Sequence, residues 1–410
     1  MVRAIGFAAA IMLFAQGCTI NEVVTAEETE LVVASEPVDE LMLLDIGIVE
    51  FEDGVPEDNN PEKTGIYGEI REAEARYLPY HLKTTMQGTG HWGAVRVVPS
   101  TDAFKDVIVS GEVEKSNGEY VTLTINVIDA TGRHWFEQDY TAQTGTSSYS
   151  TNRDRRQDPY QKVFNDIAND VHAFAQTLPK EEIARIRLTS ELQFFADMSP
   201  TPYADYLATD EDGMTSLLRL PAEGDPAVDR LRQIRERDRL VIDTLNEHYA
   251  NFYYGIAIPY NAWRKTAREE AINYRQVRRS GTMRALMGVA VLAGSLAMET
   301  NNSSSSSVRR TKRSLQAIGI TQGIENIFAG FTRRSEARLH AEAIQELSES
   351  FGSEAAPMLV NVEGETRRLT GTAAAQYESW RRLLKQIYEA ETGFSEDVVE
   401  MGAPERVPET

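Results

Sequence analysis

Two mirrored segments between residues 259 and 350 constrain the fold of this chain more than any other feature. The first segment begins polar and becomes almost wholly apolar over ALMGVAVLAGSLAM (285–298), and the second runs from apolar (314–331) back to polar. A polar loop, ETNNSSSSS (299–307), separates them. The apolar runs are of intermediate length, which favours burial over membrane spanning. The pattern therefore predicts one long antiparallel helical hairpin whose apolar halves meet at its tip.

Glycines and phenylalanines mark the tip of this predicted hairpin. They are Gly288, Gly294, Gly319, Gly323, Phe328 and Phe331. A glycine inside a helix costs about 1 kcal/mol relative to alanine, which a need for close helix packing would explain. Three interpretations stay open: the tip is the core of a helical domain, a self-association surface between subunits, or a segment that dips into a bilayer.

Basic residues form a collar beside the apolar tip. They are Arg278, Arg279, Arg284, Arg309, Arg310, Lys312 and Arg313. From Tyr260 to His340 there are 14 Lys and Arg against 5 Asp and Glu, whereas the whole chain has a net charge of −21. The acidic total argues against a nucleic-acid binder. The collar indicates contact with something anionic or with the protein's own acidic parts, unless it is an ordinary solvated helix face.

Residues 1–17 have the pattern of a secretory signal peptide, with one Arg and then an apolar run from Ala4 to Ala15. The Gly17-Cys18 step resembles a bacterial lipobox, although Ala15 stands where that family usually has Leu. The lipobox interpretation implies that Cys18 is lipidated and becomes the mature N-terminus. Cleavage after the small residue Gly17 by an ordinary signal peptidase stays open, and it would give a soluble periplasmic or secreted protein.

Cys18 is the only cysteine of the chain, so an internal disulfide is impossible. Because this one cysteine lies where a lipid would be attached, we expect a lipoprotein. Thr19 follows it rather than Asp, which by resemblance to lipoprotein sorting implies the periplasmic face of the outer membrane. Residues 18–39 are acidic and weakly patterned, as expected for a flexible tether.

Residues 40–178 follow the order strand, helix, strand, three-stranded meander, helix. Asn117-Gly118 is the strongest hairpin signal in the chain. We expect a small α/β domain with a mixed sheet. Its predicted strands are 41–53, 92–99, 106–116, 120–130 and 134–143, and its predicted helices are 66–87, with a kink or restart at Pro79, and 160–178.

Two stretches of this domain, VEFED (49–53) and VIVSGEVEKSNGEYVTLTINVIDATG (107–132), carry a resemblance to a group of envelope domains. The group comprises the TolB amino-terminal domain, the curli-secretion lipoprotein and the outer-membrane activators of peptidoglycan synthases. The resemblance implies partner binding rather than hydrolysis, and an unrelated α+β domain would share the pattern. The remainder, with LPAEGDP, IRERD and PYNAWR, resembles an uncharacterised group of proteobacterial lipoproteins and implies no activity.

The second half of the chain is predicted to be mainly helical. A helix-bearing connector occupies 179–225, and the helical domain spans 226–393. Its first helix should be capped by Asp225 and stopped by Gly255, and should pack beside the base of the hairpin 259–350. A β-hairpin at 358–370 and a last helix follow, and the acidic tail 394–410 is expected to be disordered.

Residues for an active site are hard to find in this sequence. The six histidines lack metal-ligand spacing, and Asp210-Glu211-Asp212-Gly213 lacks the later ligands of a calcium loop. Trp135, Trp263 and Trp380 are either core residues or the lining of a sugar-binding groove. We therefore expect no cofactor and no metal, although a hydrolase assembled from distant residues stays open.

These patterns together predict an α+β protein in two parts: a small α/β domain, then a mainly helical domain with a long antiparallel hairpin. The expected function is non-enzymatic. A lipid-anchored periplasmic protein would bind an envelope protein or a peptidoglycan-associated partner as scaffold or activator. One alternative is a subunit of a homo-oligomeric secretion or appendage complex assembled through the hairpin tip, and another is an envelope hydrolase.

Overall fold

A computed structural model describes residues 28–59, 66–150, 157–297, 342, 344–346, 349, 358–362 and 365–392. For some of these, including 273–297, only the backbone is described. These residues have the predicted α+β class, with a mixed sheet followed by a mainly helical part. Apart from short helical turns at Glu40–Met42, Pro200–Tyr203 and Ala204–Tyr206, the elements are β1 (Ile46–Val49), α1 (Gly68–Gly88), β2 (Val95–Val98), β3 (Val107–Ser116), β4 (Tyr120–Asp129), β5 (His134–Gln143), α2 (Gln161–Gln176), α3 (Lys180–Met198), β6 (Leu207–Thr209), β7 (Thr215–Leu217), α4 (Pro226–Ala297), β8 (Met358–Val362), β9 (Glu365–Leu369) and α5 (Ala373–Thr392).

The main sheet has five strands in the order β2-β1-β3-β4-β5. Strand β1 is parallel to both neighbours, with Ile46 beside Val95 on one side and Val107 on the other. Strands β3, β4 and β5 form the predicted antiparallel meander. Strand β1 is shorter than the predicted 41–53, because residues 40–42 form a 3-10 turn capped by Asp39. This mixed pairing confirms the predicted sheet.

Helices α1 and α2 cover one face of this sheet. Along β4, buried residues alternate with half-exposed ones, so one face of the meander belongs to the core. Helix α1 continues through Pro79, where the sequence predicted a kink or restart. Leu78, Pro79 and Tyr80 are all buried, and this tertiary burial compensates for the hydrogen bond that proline removes.

Helix α4 is one continuous helix of 72 residues. The predicted stop at Gly255 and the predicted new start at 259 are therefore wrong, and residues 226–252 belong to the same helix as the first hairpin arm instead of packing beside it. The physical reason is that Phe252, Ile256 and Tyr260 continue one buried face across the junction. Burial along this face outweighs the local cost of a glycine and a proline.

The second arm of the predicted hairpin lies largely outside the described residues. Residues 342, 344–346 and 349 are helical, and Ile344 is buried. Strands β8 and β9 confirm the predicted β-hairpin, and α5 buries the predicted stripe. Asp225 caps α4 as predicted, because its side chain accepts a hydrogen bond from the amide of Ala227 at 2.9 Å.

The N-terminal described segment is docked on α2. The side-chain amide of Asn165 donates to the carbonyl of Thr29 at 2.7 Å, and that of Asn169 donates to the carbonyl of Glu30 at 2.9 Å. The Val32 amide donates to the Asn169 side chain at 2.9 Å. Residues 29–32 of the predicted flexible tether are therefore held against the folded part. In the described portion of the chain, no helix has the length and apolarity needed to cross a membrane.

Candidate functional site

The candidate site is the junction where α4 crosses α1 and the start of α2. Its centre is Arg264 of α4, whose side chain is completely buried. The guanidinium donates to both carboxylate oxygens of Asp158, at 2.8 and 2.9 Å, and to the side-chain oxygen of Asn261 at 2.5 Å. Asp158 lies in the turn before α2, so this bidentate ion pair joins two elements that are 106 residues apart.

Asp158 is held as a carboxylate at this junction. Burial is the largest single influence on its pKa and would raise it. The charge of Arg264, the hydrogen bonds to the carboxylate and the contribution of His81 together outweigh burial and lower the pKa to about 2. The same carboxylate accepts a hydrogen bond from the backbone amide of Tyr160 at 2.9 Å. A buried pair of this kind costs desolvation on both sides, and removing one partner is strongly destabilising.

Three tyrosine rings surround the guanidinium of Arg264. The ring centroids of Tyr260, Tyr160 and Tyr77 lie 4.2, 5.2 and 5.8 Å from its central carbon. Burial raises the pKa of all three phenols well above the ordinary value, so they stay neutral. The rings give the cation a cation–π environment in place of water.

Glu74 of α1 forms a second buried charge in the same network. Its carboxylate accepts hydrogen bonds from Ser116 of β3 at 2.5 Å and from Tyr260 of α4 at 2.7 Å. Arg71 lies 3.7 Å from it and also donates to the carbonyl of Val113. Burial raises the pKa of Glu74, while the Arg71 charge opposes that increase. Tyr260 thus fastens α4 to α1, and Glu74 extends this link to the sheet through Ser116.

His81 completes the network on the side of α2. Its Nε2 lies 2.9 Å from the side-chain oxygen of Gln161, which can only accept, so Nε2 carries the proton. Its Nδ1 accepts from the hydroxyl of Tyr253 of α4 at 2.8 Å. Burial lowers the pKa of His81. The neutral imidazole therefore has both nitrogens paired, as a structural histidine would.

The β3–β4 turn touches the backbone of α4 directly. Gly118 has a positive φ of 77°, and a side chain at this position would overlap the carbonyl oxygen of Arg264 and the amide of Arg268. The carbonyl of Gly118 accepts hydrogen bonds from Thr144 at 3.0 Å and Tyr149 at 2.6 Å. Glycine is required here for its conformation and for close backbone approach.

A second buried polar cluster joins α4 to α5. Asp238 accepts hydrogen bonds from Tyr377 at 3.3 Å and from the indole of Trp380 at 3.2 Å. Burial raises the pKa of Asp238, opposed by the charge of Arg381. Lys105 lies nearby, and burial lowers its pKa to about 8. This cluster fastens the C-terminal helix to the same face of α4.

The contacts of the junction are of a kind that holds α4 in place against α1 and α2. Its charges are paired with one another, as in Arg264 with Asp158 and Arg71 with Glu74. Within the described residues, no group of three or more His, Cys, Asp or Glu side chains is arranged to hold a metal ion. Trp135, Trp263 and Trp380 are each at most 5% exposed, so they belong to the core and do not line a sugar-binding groove.

The site residues predicted from the sequence are not at this junction. Arg278, Arg279, Arg284, Gly288 and Gly294 lie on the last turns of α4, of which the backbone is described. The other predicted residues lie outside the described residues: Cys18, Gly319, Gly323, Phe328, Phe331, Arg309, Arg310, Lys312 and Arg313.

No sequence pattern singled out Arg264, which lies in the polar beginning of the segment 259–350. One signal was available: Arg264 follows Trp263 and lies one turn after Tyr260, in phase with the apolar face. Nothing in the sequence around Asp158 pointed to a buried carboxylate.

Comparison with known proteins gives no family for this chain: no family model, no curated protein and no solved structure matches it.

Proposed function

We propose that this chain is a non-enzymatic scaffold of the bacterial envelope, attached through a lipid on Cys18 to the periplasmic face of the outer membrane. In this proposal the α/β part binds an envelope partner, and α4 is an arm held rigidly to it. The observation that carries the proposal is the buried Arg264–Asp158 junction, which fixes α4 to the α/β part through a bidentate ion pair.

The length of α4 supports the role of an arm. Its 72 residues correspond to about 108 Å at 1.5 Å per residue. A domain the size of residues 40–178 has an expected diameter of about 37 Å. A helix of this length therefore extends well beyond the part of the protein to which it is fastened.

The docking of residues 29–32 supports a short membrane tether. Only residues 19–28 would separate a lipidated Cys18 from Thr29, whose carbonyl is held by Asn165. Ten residues span at most about 35 Å when fully extended. The α/β part would therefore lie close to the membrane, with its docked N-terminal segment towards the bilayer.

The anchor is tested by a Cys18→Ala variant of the full chain expressed in a Gram-negative host. Incorporation of labelled palmitate and flotation with membranes should both be lost, while a Thr19→Ala control keeps both. If the Cys18→Ala protein floats with membranes as well as wild type does, the lipid anchor is refuted. The apolar segment 285–331 then becomes the candidate membrane contact.

The scaffold role is tested separately with purified protein. Incubation with peptidoglycan or with phospholipid vesicles should release no product. Release of muropeptides or fatty acids by the wild-type chain would overturn the non-enzymatic proposal and favour an envelope hydrolase.

A second candidate is an oligomeric envelope complex assembled through the hairpin tip. It is supported by the backbone of α4, which stays helical through Gly288 and Gly294. Replacing both glycines with Leu should then abolish assembly of the detergent-extracted protein. Assembly that survives this double substitution would refute the tip as the subunit contact.

A further inference from the structure

The outward face of α4 carries a regular exposed seam. Eight exposed positions follow one another at alternating spacings of four and three residues, which is the 3.5-residue period of a coiled-coil contact. This exposed seam consists of Leu240, Thr244, Glu247, Asn251, Tyr254, Ile258, Asn261 and Lys265. The opposite face of the helix is buried against the rest of the protein, whereas none of the described residues covers the seam.

The centre of the exposed seam is apolar. Ile258 is 82% exposed and Tyr254 is 67% exposed, and they are neighbours one turn apart on the helix surface. Leu240, at one end, is also 67% exposed. Gly255 lies beside the apolar pair in open space, where an added side chain would meet nothing within 4 Å. A helix face that serves only to meet water would be polar at these positions.

The exposed seam is complementary to itself when a second copy runs in the opposite direction. A two-fold axis at position 256 places residues equidistant from that position against each other. Tyr254 then meets Ile258, Asn251 meets Asn261, and Glu247 meets Lys265. Within the described residues, neither Glu247 nor Lys265 takes part in an ion pair of its own chain, so each is available to a partner.

We infer that two copies of this chain associate through the exposed seam, with their α4 helices antiparallel about a two-fold axis near position 256. In such an isologous contact every pair occurs twice, so the dimer contains two apolar Tyr–Ile contacts and two Glu–Lys pairs. A parallel arrangement would instead place Glu247 on Glu247 and Lys265 on Lys265, and like charges disfavour it. The inference does not depend on lipidation at Cys18.

The test is sedimentation velocity of the full chain, extracted in excess detergent, over a range of concentrations. Wild type should show a monomer–dimer equilibrium. Ile258→Asp should weaken the dimer at least tenfold, because it places charge in the apolar centre. Glu247→Lys should weaken it about tenfold, because two attractive pairs become repulsive.

The double variant Glu247→Lys/Lys265→Glu gives the decisive readout. It rebuilds both pairs with reversed polarity, so the dimer should return to within about twofold of wild type. Glu223→Lys, an equal charge change at an exposed loop position off the seam, is the matched control and should leave the dimer unchanged. Far-ultraviolet circular dichroism should show that all variants stay folded, since the substituted positions are exposed.

Three results would overturn the inference. A wild-type chain that is monomeric at every concentration excludes the dimer. If neither Glu247→Lys nor Ile258→Asp changes the dimer dissociation constant, the contact lies elsewhere, and the hairpin tip is the next candidate. A double charge exchange that does not restore the dimer excludes the antiparallel register, even if Ile258→Asp perturbs folding.

Discussion

Replacing Arg264 with Met should loosen α4 from the α/β part. Methionine keeps much of the length and apolar volume of the side chain but leaves Asp158 buried without its counter-charge. Removing one partner of a buried ion pair costs about 3–5 kcal/mol. The lowered pKa of Asp158, about 2 against an ordinary 3.8, corresponds to about 2 kcal/mol at neutral pH. Both arguments place the cost at a few kcal/mol.

The pH dependence of this cost has a defined sign. In wild type, the lowered pKa of Asp158 contributes stability that is present above pH 3.8 and is lost as the pH falls towards 2. In the Arg264→Met variant, burial without the counter-charge raises the pKa of Asp158 above its ordinary value. The variant then binds a proton more readily when folded, so its deficit should shrink as the pH falls from 7 towards 4.

Hydrogen exchange of peptides covering residues 252–268 measures this loss locally. At pH 7, Arg264→Met should lower the protection factors of these amides by about two to three orders of magnitude, as expected when the free energy of local opening falls by several kcal/mol. Adding Asp158→Asn should recover part of it, because the unpaired charge is removed. Arg237→Met is the matched control on the same helix: its ion pair with Glu391 at 3.3 Å is exposed, so the loss should stay below about tenfold.

If Arg264→Met lost no more protection against exchange than Arg237→Met, the buried ion pair would not be what holds α4. A deficit that stayed constant or grew as the pH fell from 7 to 4 would also contradict this role, since an uncompensated carboxylate must respond to protonation.

Two further predictions concern the same junction. Gly118→Ala should lower the free energy of unfolding by more than about 1 kcal/mol, because the new side chain overlaps the backbone of α4 and φ is positive. Gly88→Ala is the control: this position lies in open space at the end of α1, so the free energy of unfolding should not change. Urea unfolding measures both. Burial lowers the pKa of His81, so its stabilisation is present above pH 6.5 and is lost as the pH falls below that value. His81→Gln should therefore flatten the pH dependence of the unfolding midpoint between pH 6.5 and 5, and an unchanged slope would contradict the neutral buried histidine.

The sequence predicted those parts of the fold that depend on local periodicity. The meander was predictable because β4 alternates strictly and Asn117-Gly118 supplies a turn with a positive φ. The face of α5 was predictable because Trp380 and Leu384 recur at helical spacing. In these elements the local sequence pattern and the tertiary contacts favour the same secondary structure.

Prediction failed where a tertiary contact overrides a local signal. Gly255 and Pro259 indicate a helix boundary, but the buried face that contains Ile256 and Tyr260 carries the helix through. The Arg264–Asp158 pair could not be predicted from the sequence for a different reason. Its members are 106 residues apart, and neither has a local pattern that distinguishes it from a solvated charge. Only the fold brings them together.

The buried junction should make α4 and the α/β part move as one body. The most direct measurement is the distance between two spin labels, one at the exposed position Glu137 of β5 and one at the exposed position Lys265 of α4, introduced as cysteines into a Cys18→Ser chain diluted with unlabelled protein. We expect one narrow distance distribution, which broadens when Arg264→Met is added. A broad or multimodal distribution in the chain with Arg264 intact would contradict it.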